Sequence, residues 1–197
     1  MKKQFKQIYQ FKITLDGIKP SIWRRIQVPE IYSFWDLHVA IQDAMGWSDS
    51  HLHQFEIKNP KTGEAVEISI PDEEWEDEAL AGWDVKIADY FSMKNPEALY
   101  IYDFGDNWEH TIKLEKIMPR DGEAEYPICL DGKRACPPDD CGGFPGYEDL
   151  LMTISDPDSE EYEETIDWLG DDFDPEHFEP DDVIFDDPDE RRKFVQR

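Results

Sequence analysis

The side chains best able to do chemistry gather in one segment of the sequence, Leu99 to Leu114. Two runs of alternating apolar residues flank a Gly-Asp-Asn triplet, a composition typical of a tight turn, so the segment predicts a β-hairpin. A hairpin that only filled a core would not need the ionisable groups found near its tip. These groups are Asp103, Asp106, Glu109 and His110.

Two histidines that precede the hairpin in the chain could complete a metal site with it. His51 and His53 follow an alternating strand pattern that puts both on one face, and two imidazoles so placed can chelate a metal ion. His110 would add a third ligand, and Asp103 or Asp106 a further one. Asp103 is also a candidate catalytic group, and Glu109 the general base for a metal-activated water. Such donors suit zinc or another divalent metal such as manganese. The set predicts a metal-assisted hydrolase.

Each candidate also has a simpler structural interpretation. The two strand histidines could be polar residues at the solvated end of a strand whose other end is buried. His110 shares an alternating face with Trp108 and Ile112, which is typical of a hydrogen-bonded core histidine. The hairpin aspartates could cap backbone N–H groups of the turn.

Three cysteines, Cys129, Cys136 and Cys141, form a second candidate ligand group in a loop rich in glycine and proline. Their spacing, C-x6-C-x4-C, departs from the C-x2–4-C pairs of zinc sites, and a three-thiolate site would need a histidine as fourth ligand. The alternative is reduced thiols packed in an ordered loop. An odd count in so short a stretch argues against a disulfide scaffold.

The elements that would position these residues follow from hydrophobic periodicity. Alternating apolar residues predict strands that include 22–28, and Ser33 with an acid three residues on predicts a helix that ends at Gly46. Strand, helix and strand in this order predict a right-handed crossover, with 22–28 and 51–57 as parallel neighbours. Arg24 falls on the apolar side of its strand, so we expect it to reach either an acid or the sheet edge.

These patterns predict an α+β fold with a single large mixed, mostly antiparallel sheet, helices packed on it, and a helical, acidic C-terminal part. Helical spacing predicts helices at 147–154 and after Ser159, and the acidic excursion 71–84 is expected to be a solvated loop. We expect residues 1–185 to form one domain and 186–197 to form a terminal helix.

Charge is the most unusual property of the composition. The 197 residues hold 20 basic and 47 acidic side chains, which gives a formal net charge of −27 at pH 7. This balance disfavours direct binding to nucleic acid or anionic membranes and favours a basic protein partner or bound cations. Residues 1–28 are basic and 156–190 hold eighteen acids, which predicts that these two parts dock on each other. No apolar run approaches the ~20 residues of a membrane span, and no signal peptide is recognisable, so we expect a cytoplasmic protein.

Five segments together form a specific combination, although each alone is common: Ile22-Trp-Arg-Arg, Ser33-Phe-Trp-Asp-Leu-His38, Trp47 with His51-Leu-His53, Tyr102-Asp-Phe-Gly-Asp-Asn-Trp-Glu-His110, and Cys136-Pro-Pro-Asp-Asp-Cys-Gly-Gly-Phe-Pro-Gly-Tyr147. The combination resembles the plasmid pRiA4b ORF-3-like family, whose members are also named as passenger proteins of insertion elements. The resemblance implies a single α+β domain with a large mixed sheet and an association with mobile elements. It brings no catalytic residue to this sequence.

Two functions follow from these observations and stay open. The first is an uncharacterised interaction or regulatory module whose aromatic-rich sheet and Gly/Pro loop bind a protein partner rather than DNA. The second is the metal-assisted hydrolase, which requires the segments 51–53, 103–110 and 129–141 to converge on one pocket. The binding residues of the first function would be Trp23, Arg24, Tyr102, Trp108 and Tyr147.

Overall fold

Eight strands form one sheet in the computed structural model, which describes residues 4–71, 79–170 and 173–195. The strands are β1 (Gln7–Leu15), β2 (Ile22–Pro29), β3 (His53–Lys58), β4 (Ala65–Ser69), β5 (Leu80–Ala81), β6 (Glu97–Tyr102), β7 (Trp108–Pro119) and β8 (Ile128–Lys133). The helices are α1 (Phe34–Met45), α2 (Ile87–Tyr90), α3 (Gly143–Ser155), α4 (Tyr162–Leu169) and α5 (Pro188–Val195), with a 3-10 turn at Pro180–Asp182. The predicted α+β fold is confirmed. Most of the acidic excursion that was expected to be a solvated loop, residues 72–78, lies outside the described residues.

The strand order is β5-β4-β3-β6-β7-β1-β2-β8, and of the described pairs only β4 with β5 is parallel. The sheet is therefore mixed and mostly antiparallel, as predicted. The prediction that 22–28 and 51–57 are neighbours is wrong, because β6, β7 and β1 lie between β2 and β3. The pairings still leave β2 and β3 pointing the same way. A crossover helix sets the direction of the next strand, whereas the long-range pairing of the β6–β7 hairpin decides which strands are adjacent.

One face of the sheet carries the core, and α1 packs on it. Alternate residues of β1, such as Phe11 and Ile13, are buried, and Phe11, Phe34, Phe55 and Phe91 form a chain of ring contacts with centroids 4.9 to 5.8 Å apart. Ten of the twelve residues of α1 are buried. A helix buried on nearly every side must be covered by another element besides the sheet.

The ends of α1 agree with the sequence. Asp36 N donates to Ser33 Oγ over 3.1 Å and Ser33 N donates to Asp36 Oδ2 over 2.9 Å, which completes a capping box. Gly46 ends the helix in the left-handed region at φ 97°. Both signals are local in the chain, so they could be recognised without any knowledge of the tertiary structure.

The C-terminal helix α5 covers part of the outer side of α1. Trp35 Nε1 donates to Pro188 O over 2.9 Å, and Arg191 Nη2 lies 2.6 Å from Asp43 Oδ1. Within the described residues, the Lys and Arg ion pairs of the acidic C-terminal segment use Arg134, Arg191 and Lys193 rather than a base of residues 1–28. One base of residues 1–28 does contact this segment, because the guanidinium of Arg24 lies over the ring of Phe178, and this contact involves no acid. In the described part of the chain no helix has the length and apolarity that a bilayer crossing needs.

Candidate metal centre

Three loops meet beyond one end of strands β3 and β6. His53 pairs with Tyr102 across the two strands, so the residues just before β3 lie beside those just after β6. Asp103 N donates to Leu52 O over 2.9 Å and closes this contact. The third loop runs from β8 to α3 and reaches the same place. The sheet register thus brings His51 next to the tip of the β6–β7 hairpin.

Each loop contributes one possible metal ligand to a single cluster. His51 Nε2 lies 3.0 Å from Asp140 Oδ1 and 3.6 Å from Asp103 Oδ2, and all three ligand atoms lie within 4.8 Å of one another. Donors bound at about 2.1 Å to one ion lie about 3.0 Å apart at a right angle and about 3.4 Å apart in a tetrahedron. The two distances from His51 therefore match the spacing of ligands around one cation.

The imidazole of His51 lies close to two carboxylates but makes no hydrogen bond through Nε2. Its Nε2 atom is shielded from solvent and makes no hydrogen bond, although two carboxylates are near, because the geometry of neither contact suits an N–H donor. One imidazole nitrogen and two carboxylate oxygens form a donor set that zinc and manganese accept.

Asp103 serves the turn and the cluster at the same time. Its Oδ1 accepts from Gly105 N over 2.9 Å, as expected for an aspartate that caps a turn, while Oδ2 faces His51. Asp103 is buried and holds φ at 56°, and Asp140 holds φ at 60°. The structural interpretation of Asp103 and its interpretation as a ligand are therefore compatible.

Asp139 fixes the third loop to the first. Its Oδ2 accepts from Ser48 N over 3.2 Å and from Ser48 Oγ over 2.6 Å, and its Oδ1 accepts from the hydroxyl of Tyr102 over 3.2 Å. Burial, and next the charge of Asp139, raise the pKa of Tyr102, so the phenol stays a donor. These bonds hold Asp140, the next residue, opposite His51.

Glycines allow the third loop to approach the hairpin closely. Gly142 N donates to Asp106 Oδ2 over 3.2 Å, and a Cβ added to Gly143 would lie 2.6 Å from Asp106 O. Gly143 also has φ at 67°, which disfavours any other residue. The Gly-Gly pair is thus explained by the contact between the loop and the hairpin.

The other two predicted histidine ligands lie elsewhere. His53 is buried and stacks on His38, with ring centroids 3.4 Å apart and planes inclined by 8°. His110 is also buried, and its Nδ1 contacts Trp108 O at 3.0 Å and Tyr100 O at 3.3 Å. Burial lowers the pKa of His110 to about 4. The structure therefore supports the interpretation of His110 as a core histidine.

Glu109 is not part of the cluster. It is exposed and alternates with the buried Trp108 and His110, which places it on the opposite face of the sheet. Its carboxylate accepts from Asn107 Nδ2 over 3.0 Å. A general base at this position could not reach a water bound between His51 and Asp103.

The cysteines do not gather into a ligand set with a histidine. Cys129, Cys136 and Cys141 are free thiols, and in the described ranges the only cluster of three or more possible ligands is the one at His51. Burial raises the pKa of the Cys141 thiol to about 12 and raises the pKa of Cys136 as well. Protonated thiols packed in an ordered loop agree with the alternative interpretation.

Four of the five residues proposed to bind a partner are buried. Tyr102, Trp108 and Tyr147 belong to the core, and Trp47 packs on the first two with centroids 4.9 and 6.2 Å away. Trp23 is half-buried on the other face of the sheet, where the cationic ends of Lys12 and Arg25 lie 4.8 and 5.0 Å from its ring.

Among the described residues Arg24 reaches no acid, and it meets the edge strand β8 only through the backbone carbonyl of Lys133, without emerging into solvent there. It is 1% exposed, and its guanidinium donates to the carbonyls of Ala44, Trp23 and Lys133 over 2.7 to 3.1 Å. The ring of Phe178 covers it at 3.7 Å. Backbone carbonyl dipoles and one aromatic face stabilise the positive charge. No pattern in the sequence predicts this combination.

Asp140 is the member of the cluster that could not be predicted from the sequence. It lies in an irregular loop next to another aspartate, and nothing in Pro-Pro-Asp-Asp distinguishes a ligand from a solvated acid. Its φ of 60° is unusual for a residue other than glycine, although aspartate tolerates it better than most. Only the position of this loop against His51 identifies it.

Comparison with known proteins gives two relatives that are similar over most of both chains. The chain is 37% identical over 164 residues to the uncharacterized protein y4hQ of Sinorhizobium fredii, which covers 83% of this chain and 81% of that one. It is 53% identical to a protein of unknown function, MM3350 from Methanosarcina mazei Go1, whose crystal structure matches with a TM-score of 0.88 over 92% of this chain and all of that one. The family model for the plasmid pRiA4b ORF-3-like protein matches residues 7–182. The chain therefore belongs to the plasmid pRiA4b ORF-3-like family.

Proposed function

We propose that this protein binds a divalent metal ion through His51, Asp103 and Asp140 and uses it to assist a hydrolysis reaction. The observation that carries the proposal is the meeting of three ligand atoms from three separate loops within 4.8 Å. The net charge of −27 favours cation capture in general, but it does not explain why an imidazole nitrogen faces the two carboxylates.

The number and type of ligands favour a reactive site over a structural one. Structural zinc sites are closed by four ligands, often thiolates, whereas catalytic sites keep three protein ligands and an open position for water. A cation held by His51, Asp103 and Asp140 would supply a Lewis acid and a bound water of lowered pKa. Asp139 lies beside the cluster, where its carboxylate already accepts hydrogen bonds from Ser48 and Tyr102.

Metal binding should depend on His51, Asp103 and Asp140 and on none of the other residues that the sequence predicts as ligands. We expect chelator-treated protein to bind about one Zn²⁺ or Mn²⁺ in calorimetry, and we expect Asp103→Asn and Asp140→Asn each to weaken binding by about 100-fold, since even outer-shell changes cost 10- to 100-fold. Glu109→Gln, on the other face of the sheet, is the matched control and should bind like the parent. Metal-dependent hydrolysis of a panel of nitrophenyl esters and phosphodiesters would then identify the reaction class.

Two results would overturn this assignment. One is less than about 0.2 metal per chain after reconstitution, given that a genuine site should approach one. The other is equal affinity of Asp140→Asn, Glu109→Gln and the parent chain, which would locate any bound metal elsewhere. Far-UV circular dichroism distinguishes lost ligation from lost folding.

We also propose a second function, an interaction module for a basic protein partner, because exposed apolar residues adjoin members of the cluster in the chain. Leu52 and Phe104 are 56% and 52% exposed and follow His51 and Asp103 directly in the chain, and Phe144 follows Gly143. Exposed apolar residues around charged groups are typical of protein contact surfaces. A partner that presents lysine or arginine beside apolar side chains would complement this surface.

The double substitution Leu52→Ser and Phe104→Ser tests the interaction function without touching a ligand. We expect it to weaken binding to an immobilised lysine- and leucine-rich peptide at least tenfold while metal affinity is unchanged, since exposed apolar anchors carry much of an interface's binding energy. Met152→Ser, at an equally exposed position of α3, should have no effect. Salt-sensitive binding to duplex DNA at comparable strength would contradict the preference for a protein partner.

A further inference from the structure

A cleft separate from the metal cluster lies between the end of α1, the 135–139 loop and the C-terminal residues 168–169 and 173–183. Its volume is about 470 Å³, within the range of small-molecule sites. Asp139 borders this cleft and is the neighbour of the ligand Asp140 in the chain. The cleft therefore opens beside the metal cluster but uses a different set of side chains.

Aromatic side chains form much of the wall of the cleft. Trp168 is 53% exposed, an unusual state for a tryptophan beside a cavity, and Phe173 and Phe178 are half-buried. Phe178 already holds one cation, since the guanidinium of Arg24 lies 3.7 Å from its ring centroid. These walls therefore offer π-faces of the kind that attract cations.

The lining of the cleft carries more acids than bases. Glu179 and Asp182 are exposed, whereas the carboxylate of Asp139 already accepts hydrogen bonds from Ser48 and Tyr102, and that of Asp43 is paired with Arg191 at 2.6 Å. Arg24 is the only arginine or lysine among the described lining residues.

Arg24 does not change that balance. It is almost fully buried, and its guanidinium is committed to three backbone carbonyls. His177 also lines the cleft, and its Nε2 lies 3.9 Å from Asp182 Oδ2. An anionic ligand would meet exposed carboxylates with no free arginine or lysine among the described lining residues, whereas a cation would find both carboxylates and aromatic faces.

We infer that this cleft binds a small organic cation, a primary amine or guanidinium group carried on an apolar body. The apolar body packs against Trp168 and Phe173, and the charged group lies among the carboxylates of the rim. The inference goes beyond the proposed metal chemistry. It does not require a bound metal, because none of the three proposed ligands, His51, Asp103 and Asp140, lines the cleft.

A matched pair of ligands tests the charge preference directly. Phenethylamine and 3-phenylpropionate have similar size and opposite charge, and their binding to chelator-treated full-length protein can be followed by chemical-shift changes and calorimetry. We expect the amine to bind at least about tenfold more tightly than the carboxylate, a difference in line with one desolvated cation–π contact. We expect Trp168→Ala and the double variant Glu179→Gln with Asp182→Asn each to weaken amine binding about fivefold or more.

The control separates the cleft from the general attraction of an acidic protein for cations. Glu64→Gln with Glu67→Gln removes two exposed carboxylates in and beside β4, neither of which lines the cleft, and should leave amine affinity unchanged. The inference is wrong if both ligands bind equally, if the amine shows no binding at millimolar concentration, or if the β4 double variant weakens binding as much as the cleft variants. Because the glutamine and asparagine changes are at exposed positions, they report on binding even if Trp168→Ala lowers stability.

Discussion

Replacing Arg24 with methionine should lower the free energy of unfolding by about 2 kcal/mol or more, since a buried carbonyl left without a donor, here that of Ala44, costs about 1–3 kcal/mol and two partly buried carbonyls lose a donor as well. The change removes the donors of the carbonyls of Ala44, Trp23 and Lys133, and the residue is almost fully buried. Replacing a whole buried ion pair with apolar residues sometimes stabilises a protein. That gain in stability is not available here, because the partners of Arg24 are backbone carbonyls, which no substitution removes. Urea unfolding monitored by circular dichroism measures the loss.

The neighbouring arginine provides the control. Arg25 faces the other side of the sheet, is partly exposed and pairs with Glu115 at 2.7 Å, so Arg25→Met should cost less than about 1 kcal/mol. Arg24→Lys keeps the charge but loses the planar set of donors, and we expect it to fall between the two. Equal stability of the Arg24→Met and Arg25→Met proteins would show that the buried guanidinium is not what joins α1, β2 and β8.

Most of the sheet could be predicted because its signals are local. Alternation identified the strands, the Gly-Asp-Asn triplet identified the hairpin, and Ser33 with Gly46 marked both ends of α1. Strand adjacency could not be predicted in the same way, since it depends on which faces pack together across long stretches of chain. The wrong placement of 22–28 beside 51–57 follows from that limit.

The candidate site was predicted only in part, for a similar reason. His51 and Asp103 were identified because one lies in an alternating His-x-His pattern and the other near the tip of a predicted hairpin, whereas Asp140 arrives on a loop whose path no periodicity describes. His53 was grouped with His51 because alternation puts both on one strand face, and His110 because it lies in the same hairpin as Asp103. Their alternation with core residues was the better guide, since both are buried.

Acidification from pH 7 to pH 5 should lower the stability of the native protein through its buried histidines. Burial lowers the pKa of His110 to about 4, and burial together with the adjacent His38 holds the pKa of His53 well below its usual range. An unfolded histidine takes up a proton near pH 6.5, so the unfolded state binds more protons below that pH, and stability falls as the pH falls. For His110 alone this amounts to about 2 kcal/mol at pH 5, and His53 adds a loss of the same sign.

The substitution His53→Phe isolates one of these two contributions. Nδ1 of His53 is buried without a hydrogen-bond partner, and a phenyl ring can keep the stack on His38, so the variant should fold. Between pH 7 and pH 5 its free energy of unfolding should fall by at least about 1 kcal/mol less than that of the parent. The acidic surface also titrates in this interval, but it does so in both proteins and cancels in the difference. His177→Phe, at an exposed histidine, should leave the pH dependence unchanged. If urea unfolding gives parallel pH profiles for the parent and His53→Phe, then His53 is not held neutral by its surroundings, and the stacked pair does not oppose protonation.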